Sequence, residues 1–449
     1  MTPGTGDPFP PEGGINAMSY CHGDGTTDDT AHILSAIAAA DGAPVYFYDG
    51  TYLLSSTLTV PDGTTLVGES LAGTHLKGAV VYGSDSSFSD LRIGDVGKTG
   101  VVNGPGASNT TFTCCQFRGG GGAVGRSPMY FGGGKNSCDH LTFTDCNVER
   151  NLGDHEVSPG ESNWNNVNWT ERVDSLDGAH MEYITFTRCH FGVSNGREDI
   201  PRNIGCPRMN VELYQFPGEG GSVRTGWHNV TFQDCVFEAG DCATLDAPSA
   251  IYNNDHTDAY LTLDGCTFYG GGVTGDYWQG GVTLEGINHA TIHDNDFYPA
   301  RQYTLSMATQ GPPSHGVSIT DNRFHLDDYT HGGIDAHNTE PQIWLEGNDG
   351  TFTGNVVHNS TGGYWILWLG WYYDDQQADG WTITGNHFHE LRTSSQRMAW
   401  VEDATDCTIT GNTFQTEASS FPSGTPVTYA GTNTGTTVVD GTNNTLVHG

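Results

Sequence analysis

Leu141-Thr-Phe-Thr-Asp-Cys-Asn-Val148, Val230-Thr-Phe-Gln-Asp-Cys-Val-Phe237, Val317-Ser-Ile-Thr-Asp-Asn-Arg-Phe324 and Trp381-Thr-Ile-Thr-Gly-Asn-His-Phe388 are copies of one eight-residue phrase. Its first and third positions are apolar, its fifth is Asp or Gly, its sixth Cys or Asn, and its eighth Phe or Val. Ten copies align on their sixth positions: Cys115, Cys146, Cys189, Cys235, Cys266, Asn295, Asn322, Asn355, Asn386 and Asn412, 26 to 46 residues apart. A period of that length is the mark of a solenoid.

The phrase also selects the kind of solenoid. Apolar residues at positions one and three alternate as the buried face of a strand. The next inward pair, positions six and eight, is out of phase with the first, so a corner lies between them. Asp145, Asp234, Gly265, Asp294, Asp321, Gly354, Gly385 and Gly411 occupy that corner. These are the residue types that tolerate left-handed or bridge backbone angles. Two short strands meeting at a bend once per turn predict a parallel β-helix with rungs about 4.8 Å apart.

Working outward, residues 1–19 are rich in Pro and Gly and read as an extended arm. Asp28 or Asp29 can cap a short helix over Ala31–Ala40, in which Ile33, Leu34 and Ile37 share one face and Gly42 ends the run. Strand patterns follow at Val45–Tyr48, Tyr52–Leu54, Leu58–Val60 and Thr65–Val67. Residues 20–424 thus read as one β-helix domain with its cap, and 425–449 as strands that close the last rungs. Insertions at about 149–179, 192–226, 247–259 and 358–380 are too long for plain turns and are expected to decorate one face.

The run Gly23-Asp-Gly-Thr-Thr-Asp-Asp-Thr30, the helix after it, Val45-Tyr-Phe-Tyr-Asp-Gly-Thr-Tyr-Leu53 and Leu58-Thr-Val-Pro-Asp-Gly-Thr-Thr-Leu-Val-Gly-Glu69 resemble the amino-terminal cap and first rungs of the pectate-lyase-like superfamily. That superfamily includes polygalacturonase-type hydrolases, polysaccharide lyases and tailspikes of tailed viruses. The resemblance implies an all-β, single-stranded, right-handed parallel β-helix of about ten or more rungs with a short N-terminal capping helix. It is specific for fold and weak for function, because the fold hosts many activities. The Asn-Thr-Asp, paired-Asp and Gly-His-Gly elements of the polygalacturonase-type pattern are not present in order.

Charge bounds the partners. The chain carries 53 acidic and 17 basic residues, a formal −36, with only three lysines, Lys77, Lys98 and Lys135. Self-repulsion of that size destabilises a compact fold in dilute buffer, whereas molar salt screens it over about 3 Å. This favours a salt-adapted protein over a merely acidic secreted one. It argues against nucleic acid as a partner, since no basic patch can release counterions. No apolar run of membrane-spanning length occurs, so no membrane insertion is expected. The first residues lack the basic and apolar regions of a secretion signal, which points to a processed chain or to release with a virus particle.

Five of the eleven cysteines fill the inward column that Asn fills later, which reads as packing by free thiols. Cys407 takes a first apolar position. No Cys-x-x-Cys pair is present, so no zinc or other metal site, and no cofactor, is expected.

Three constellations could carry chemistry. Glu285, Glu346 and Glu402 precede their ladder Asn by nine or ten residues and so form a column on alternate rungs. Neighbours in it would be about 9–10 Å apart, near the upper limit for an inverting glycosidase pair. Glu285 and Glu346 are the catalytic candidates; the plain alternative is a solvated acidic edge. Arg197, Arg202 and Arg208 share one insertion with Glu198 and Asp199, the residue types that the resemblance implies for a lyase's base and calcium ligands, but surface ion pairing is the favoured reading. The third is the aromatic run Gly363-Tyr-Trp-Ile-Leu-Trp-Leu-Gly-Trp-Tyr-Tyr-Asp-Asp375, with Trp344, Trp381 and Trp400 on adjoining rungs. One rung cannot bury so many rings, so Trp365, Trp368, Trp371 and Tyr372 are candidates for glycan stacking or for a subunit contact. His140, His228, His289 and His315 recur before the phrase, but their offset varies by one residue, which favours a turn role over a metal ladder.

The leading expectation is therefore a spike or tailspike-like protein of a virus with a halophilic host. It would be a homotrimer on the virion surface or in the extracellular medium that recognises, and in one version depolymerises, host polysaccharide or glycoprotein glycans. The alternatives are a secreted halophilic polysaccharide hydrolase or lyase and a non-enzymatic decoration protein.

Overall fold

The computed structural model describes residues 13–95, 100–118, 129–130, 137–149, 167–168, 180–192, 209–212, 226–238, 243–248, 260–269, 280–300, 303–307, 313–326, 342–358, 365–370, 378–391, 397–416, 427–430, 438–439 and 445–448. The strands among these form three long parallel sheets of 16, 15 and 13 strands, with a three-stranded one beside them. The first sheet holds positions two to four of every phrase, as in Thr382–Thr384, and the second holds the residues after the corner, as in His387–Leu391. The third holds the strand that precedes the next phrase, as in Arg397–Glu402. Each turn of the coil visits all three, and each strand pairs with its counterpart one turn on. The fold is a parallel β-helix.

The corner between the first two sheets behaves as its composition demands. All ten corner residues have φ between +51° and +69°, including Cys114 and Arg188 where Asp or Gly is absent. Arg188 repays part of that strain by gripping the corner one rung back, its Nε and Nη2 donating to the carboxylate of Asp145 at 2.7 and 3.0 Å. A second left-handed corner lies immediately before the phrase. Asn109, His140, Tyr183, Asn229, Tyr260 and His289 lie on it, with φ of 49° to 59°. His140 and His289 are thus turn residues, each stacked on a neighbouring tyrosine.

Inside, like sits on like. Phe88, Phe112, Phe143, Phe186 and Phe232 stack along the first sheet at 4.6 to 5.0 Å. Phe237, Phe268, Phe297 and Phe324 do the same along the second. These are rung spacings, and all these rings are buried. The sixth-position column is buried as well, and it is held by hydrogen bonds rather than packing alone. The thiols of Cys115, Cys146, Cys189, Cys235 and Cys266 donate to the carbonyls of Phe88, Phe112, Phe143, Phe186 and Phe232. In later rungs the Nδ2 of Asn295, Asn322, Asn355, Asn386 and Asn412 donates to the equivalent carbonyls. Burial raises the Cys146, Cys189 and Cys266 thiols well above the ordinary range.

The amino-terminal end is closed by α1, Thr30–Ala40. Asp28 Oδ1 accepts the Thr30 N–H at 3.0 Å, and Asp41 and Gly42 end the helix with positive φ. Its buried stripe is Ile33, Ala36 and Ala40, with Ile37 against the core, whereas Leu34 is exposed. A helix lying across the mouth of a narrow coil has less apolar surface to cover than the wider face read from the sequence. Ile15–Asn16 already pairs with Val45–Tyr46 in the first sheet. At the other end Val427–Ala430, Val438–Val439 and Thr445–His448 extend the third, first and second sheets in turn. No helix among the described residues is long and apolar enough to cross a membrane.

Candidate functional site

The third sheet positions the glutamates and tryptophans singled out above. Its strands Gly280–Glu285, Tyr303–Ser306, Ile343–Leu345, Trp365–Leu369 and Arg397–Glu402 lie side by side in that order. Register aligns Thr283 with Ser306, Trp344, Trp368 and Trp400. Immediately before that row Val282, Leu305, Ile343, Leu367 and Ala399 point into the core, and immediately after it so do Leu284, Met307, Leu345, Leu369 and Val401. The indoles therefore stand on the outer face, and they touch one another. Tyr303 and Trp344 have ring centroids 5.3 Å apart, Trp344 and Trp368 6.2 Å, and Trp368 and Trp400 6.2 Å.

This outer face is largely withdrawn from solvent. Trp344 and Trp368 are each 6% exposed and form a second small apolar cluster, against which Tyr303 and Trp400 pack. Thr304 and Ser306 are buried beside them, and the Thr304 hydroxyl donates to Gln342 Oε1 at 2.9 Å. Trp400, half-buried, is the accessible end of the ladder, and its Nε1 donates to Glu402 Oε2 at 2.9 Å.

Counting two residues on from the aligned row reaches Glu285, Glu346 and Glu402 on alternate strands, the column expected from the sequence. Glu346 is fully buried, while Glu402 is half-buried. Glu285 closes its strand opposite Pro248. Two rungs separate Glu285 from Glu346, about 9–10 Å of backbone. The arrangement pairs aromatic surface with carboxylates at its margin, the chemistry used to hold a sugar ring by its face and its hydroxyls.

Trp365 lies in the same strand as Trp368. Trp371 and Tyr372 lie outside the described residues, as do Arg197, Arg202 and Arg208 and most of the four long insertions. Trp381 belongs elsewhere: it is buried at the start of its phrase, its Nε1 donating to the Gly347 carbonyl at 2.9 Å.

A second column was not anticipated. Tyr269, Tyr298, His325, His358 and His389 stack along the outer face of the second sheet at 4.9 to 6.2 Å, and His387 lies 3.6 Å from His389. Ring faces meet along the axis, so the edges point outward. Asp296 accepts from Arg323 Nε at 2.8 Å and pairs with His325 Nε2 at 2.7 Å. Against its own desolvation, hydrogen bonds to Arg323 and His325 hold the Asp296 carboxyl below the usual range. The signal was available, since every member sits three residues after its ladder Cys or Asn.

Comparison with known proteins agrees with this architecture. The sequence matches the family described as rhamnogalacturonase A/epimerase, pectate lyase-like, over residues 15–151, and the right-handed β-helix region over 209–370. The chain is a right-handed parallel β-helix, and its first third is similar to the pectate-lyase-like proteins. Among solved structures it is similar to tailspike protein 3 of bacteriophage CBA120, with a TM-score of 0.55 and 12% identity over 97% of this chain and 61% of that one. It is also similar to the surface protein and adhesin PfbA of Streptococcus pneumoniae, with a TM-score of 0.52 and 13% identity over 97% of this chain and all of that one. Among curated proteins, a glucan 1,3-beta-glucosidase of Cochliobolus carbonum is 33% identical over 89 residues, 18% of this chain and 10% of the glucosidase. A non-secreted LysM effector of Penicillium expansum is 31% identical over 91 residues, 20% of this chain and 7% of the effector. The matched segments thus span a tenth or less of either curated relative.

Proposed function

We propose that this chain is a carbohydrate-recognising surface spike of the tailspike kind, which meets a glycan on the outer face of the third sheet at Trp400 and Glu402. The observation that carries this reading is the indole ladder, in which buried Trp344 and Trp368 support a half-buried Trp400 whose Nε1 orients a carboxylate. A ring held from behind meets a sugar with little loss of side-chain freedom, and the carboxylate beside it accepts hydroxyl hydrogen bonds. The likeness to a phage tailspike and to a surface adhesin, together with the extreme acidity, supports placement on a virion or cell surface in a saline milieu, with assembly as a homotrimer.

Cleavage is the second reading. It is favoured by Glu346, a fully buried carboxylate two rungs from Glu285 on the same face, and by the similarity to a glucosidase and to the rhamnogalacturonase description. In that version Glu285 and Glu346 act as the acid and base of an inverting hydrolysis, whose carboxyl separation is about 6.5–9.5 Å.

Envelope polysaccharides from halophilic cells, with rhamnogalacturonan and a β-1,3-glucan beside them, test both readings when bound glycan, reducing ends and unsaturated products are followed together. Trp400→Ala and Glu402→Gln are expected to weaken binding at least tenfold while leaving the fold intact. Trp368→Ala is instead expected to destabilise the chain by about 3–5 kcal/mol. Binding that survives both Trp400→Ala and Glu402→Gln unchanged would remove the third-sheet site. If product forms and Glu285→Gln and Glu346→Gln retain full rate, these carboxylates are not the catalytic pair.

A further inference from the structure

The cap contains a cluster that neither the coil nor the proposed glycan face uses. His22 lies in the loop before the strand Asp24–Asp28, Asp29 follows that strand directly, and His32 is in the first turn of α1. Asp29 is completely buried and rigidly held. Its Oδ1 accepts the His22 N–H at 2.8 Å, its Oδ2 accepts the Gly23 N–H at 3.0 Å, and its own N–H donates to the Leu53 carbonyl at 2.8 Å.

Both imidazoles turn the same nitrogen toward this one carboxylate oxygen. His22 Nδ1 is 3.3 Å from Asp29 Oδ1 and His32 Nδ1 is 3.5 Å from it. The three donor atoms all lie within 4.8 Å of one another. A hydrogen bond accounts for His22, but His32 Nδ1 is buried and makes none. For a tetrahedral zinc-type ion with bonds of about 2.0–2.1 Å, the ligand–ligand edge is about 3.3–3.4 Å. The two measured edges, 3.3 and 3.5 Å, are close to that length. The imidazole side chains are 51% and 41% exposed, so solvent can reach the cluster and supply a remaining ligand.

We propose that His22, Asp29 and His32 bind a divalent transition cation of the Zn2+ type, which clamps the loop before the second sheet to the first turn of the capping helix. Two imidazole nitrogens select such a cation over Ca2+ or Mg2+, which take oxygen ligands. The positive end of α1 opposes a cation here. The Asp29 carboxylate lies at that end, and the chain as a whole is strongly anionic. A clamp at this place would close the cap that shields the first rung, the end from which a solenoid otherwise frays.

The full chain, freed of metal by chelator and dialysed, is titrated calorimetrically with ZnCl2 in molar NaCl, and its thermal unfolding is followed with and without the metal. One Zn2+ per chain with a dissociation constant of about 10 µM or tighter, a higher unfolding temperature and no competition from a hundredfold excess of Ca2+ are the expected results. His22→Gln and His32→Gln should each weaken binding by about tenfold or more and cancel the thermal shift. Both positions are partly exposed and are not needed for the core; Asp29 is left unchanged because it organises the loop. Absence of binding up to 1 mM would overturn the proposal, and so would equal binding by the His22→Gln/His32→Gln double variant. The latter result would assign the metal to surface carboxylates.

Discussion

Asn295 Oδ1 accepts the backbone N–H of Cys266 at 2.8 Å, and at that contact the inward column changes from thiols to amides. Before it, each Cys Sγ makes only long contacts, at 3.3 to 3.5 Å, to a carbonyl one rung back and to the carbonyl two residues before it. After it, each Asn both donates to that carbonyl at 2.8 to 3.0 Å and accepts the N–H of its predecessor. Side-chain amides also join one another, Asn322 Nδ2 meeting Asn355 Oδ1 at 3.0 Å. The carboxy-terminal half of the coil is thus the more strongly cross-tied.

That asymmetry predicts unequal costs for the same truncation. Asn355→Ala deletes the Nδ2 donations to Ile319 and Asn386 and an acceptor shared by Asn322, stranding the Asn322 N–H and one of its two Nδ2 hydrogens in a buried site. Each stranded group costs about 1–3 kcal/mol. Cys146→Ala deletes only weak thiol contacts and a sulfur atom, and should cost about 1–2 kcal/mol. Urea midpoints at constant slope measure both, and a Cys146→Ala loss equal to or larger than that of Asn355→Ala would contradict the ladder's role.

The thiols themselves should be silent in the native state. Cys115, Cys146, Cys189, Cys235 and Cys266 are all buried, and nucleophilic reaction requires an accessible thiolate. Ellman-type reagents are expected to label none of the five until the protein is denatured. Fast native labelling at three or more of them, mapped by peptide mass, would place the column outside.

Net charge makes salt a structural variable. With −36 to screen, lowering NaCl from molar to about 0.1 M lengthens the Debye distance from about 3 to about 10 Å, and the unfolding temperature should fall by several degrees or more. A transition that stays flat across that range would remove the argument for a saline habitat.

Acid sensitivity has an identifiable source. Burial lowers the His75 value, the Gly94 carbonyl at 2.7 Å from its Nε2 offsetting part of this, and burial together with His389 lowers His387. Both groups bind protons less readily folded than unfolded. Their contribution is therefore intact above about pH 6.5 and declines as pH falls through 6.5 toward the folded values. Asp24 and Asp28 act in a separate window. Hydrogen bonds from Thr26, Thr27, Thr30 and Ser55 hold them well below the usual range, so their contribution is lost only as pH falls below about 4. Thermal unfolding between pH 7.5 and 5 should show a falling midpoint, with a shallower slope in the His75→Gln/His387→Gln variant; an unchanged slope would assign the effect to other groups.

What the sequence by itself determined was everything that repeats. Asp145, Gly265 and Gly411 announced left-handed corners because few residue types tolerate them, and the Cys-to-Asn column was visible because one inward position per rung recurs in every phrase. The glutamate column was legible for the same reason, as a constant offset from the ladder. What only the tertiary structure decided was which side of a uniformly apolar strand faces out. Ile343-Trp-Leu345 and Trp365-Ile-Leu-Trp-Leu369 have no polar alternation to reveal it. The register of the third sheet turned Trp344 and Trp368 outward, and long-range burial then withdrew them from solvent. The His22, Asp29 and His32 cluster likewise has no local signature, because its geometry arises where a loop and a helix end fold against the same buried carboxylate. Periodic backbone constraints are written locally along a chain, whereas facing and convergence depend on hydrogen-bond registers between residues distant in sequence.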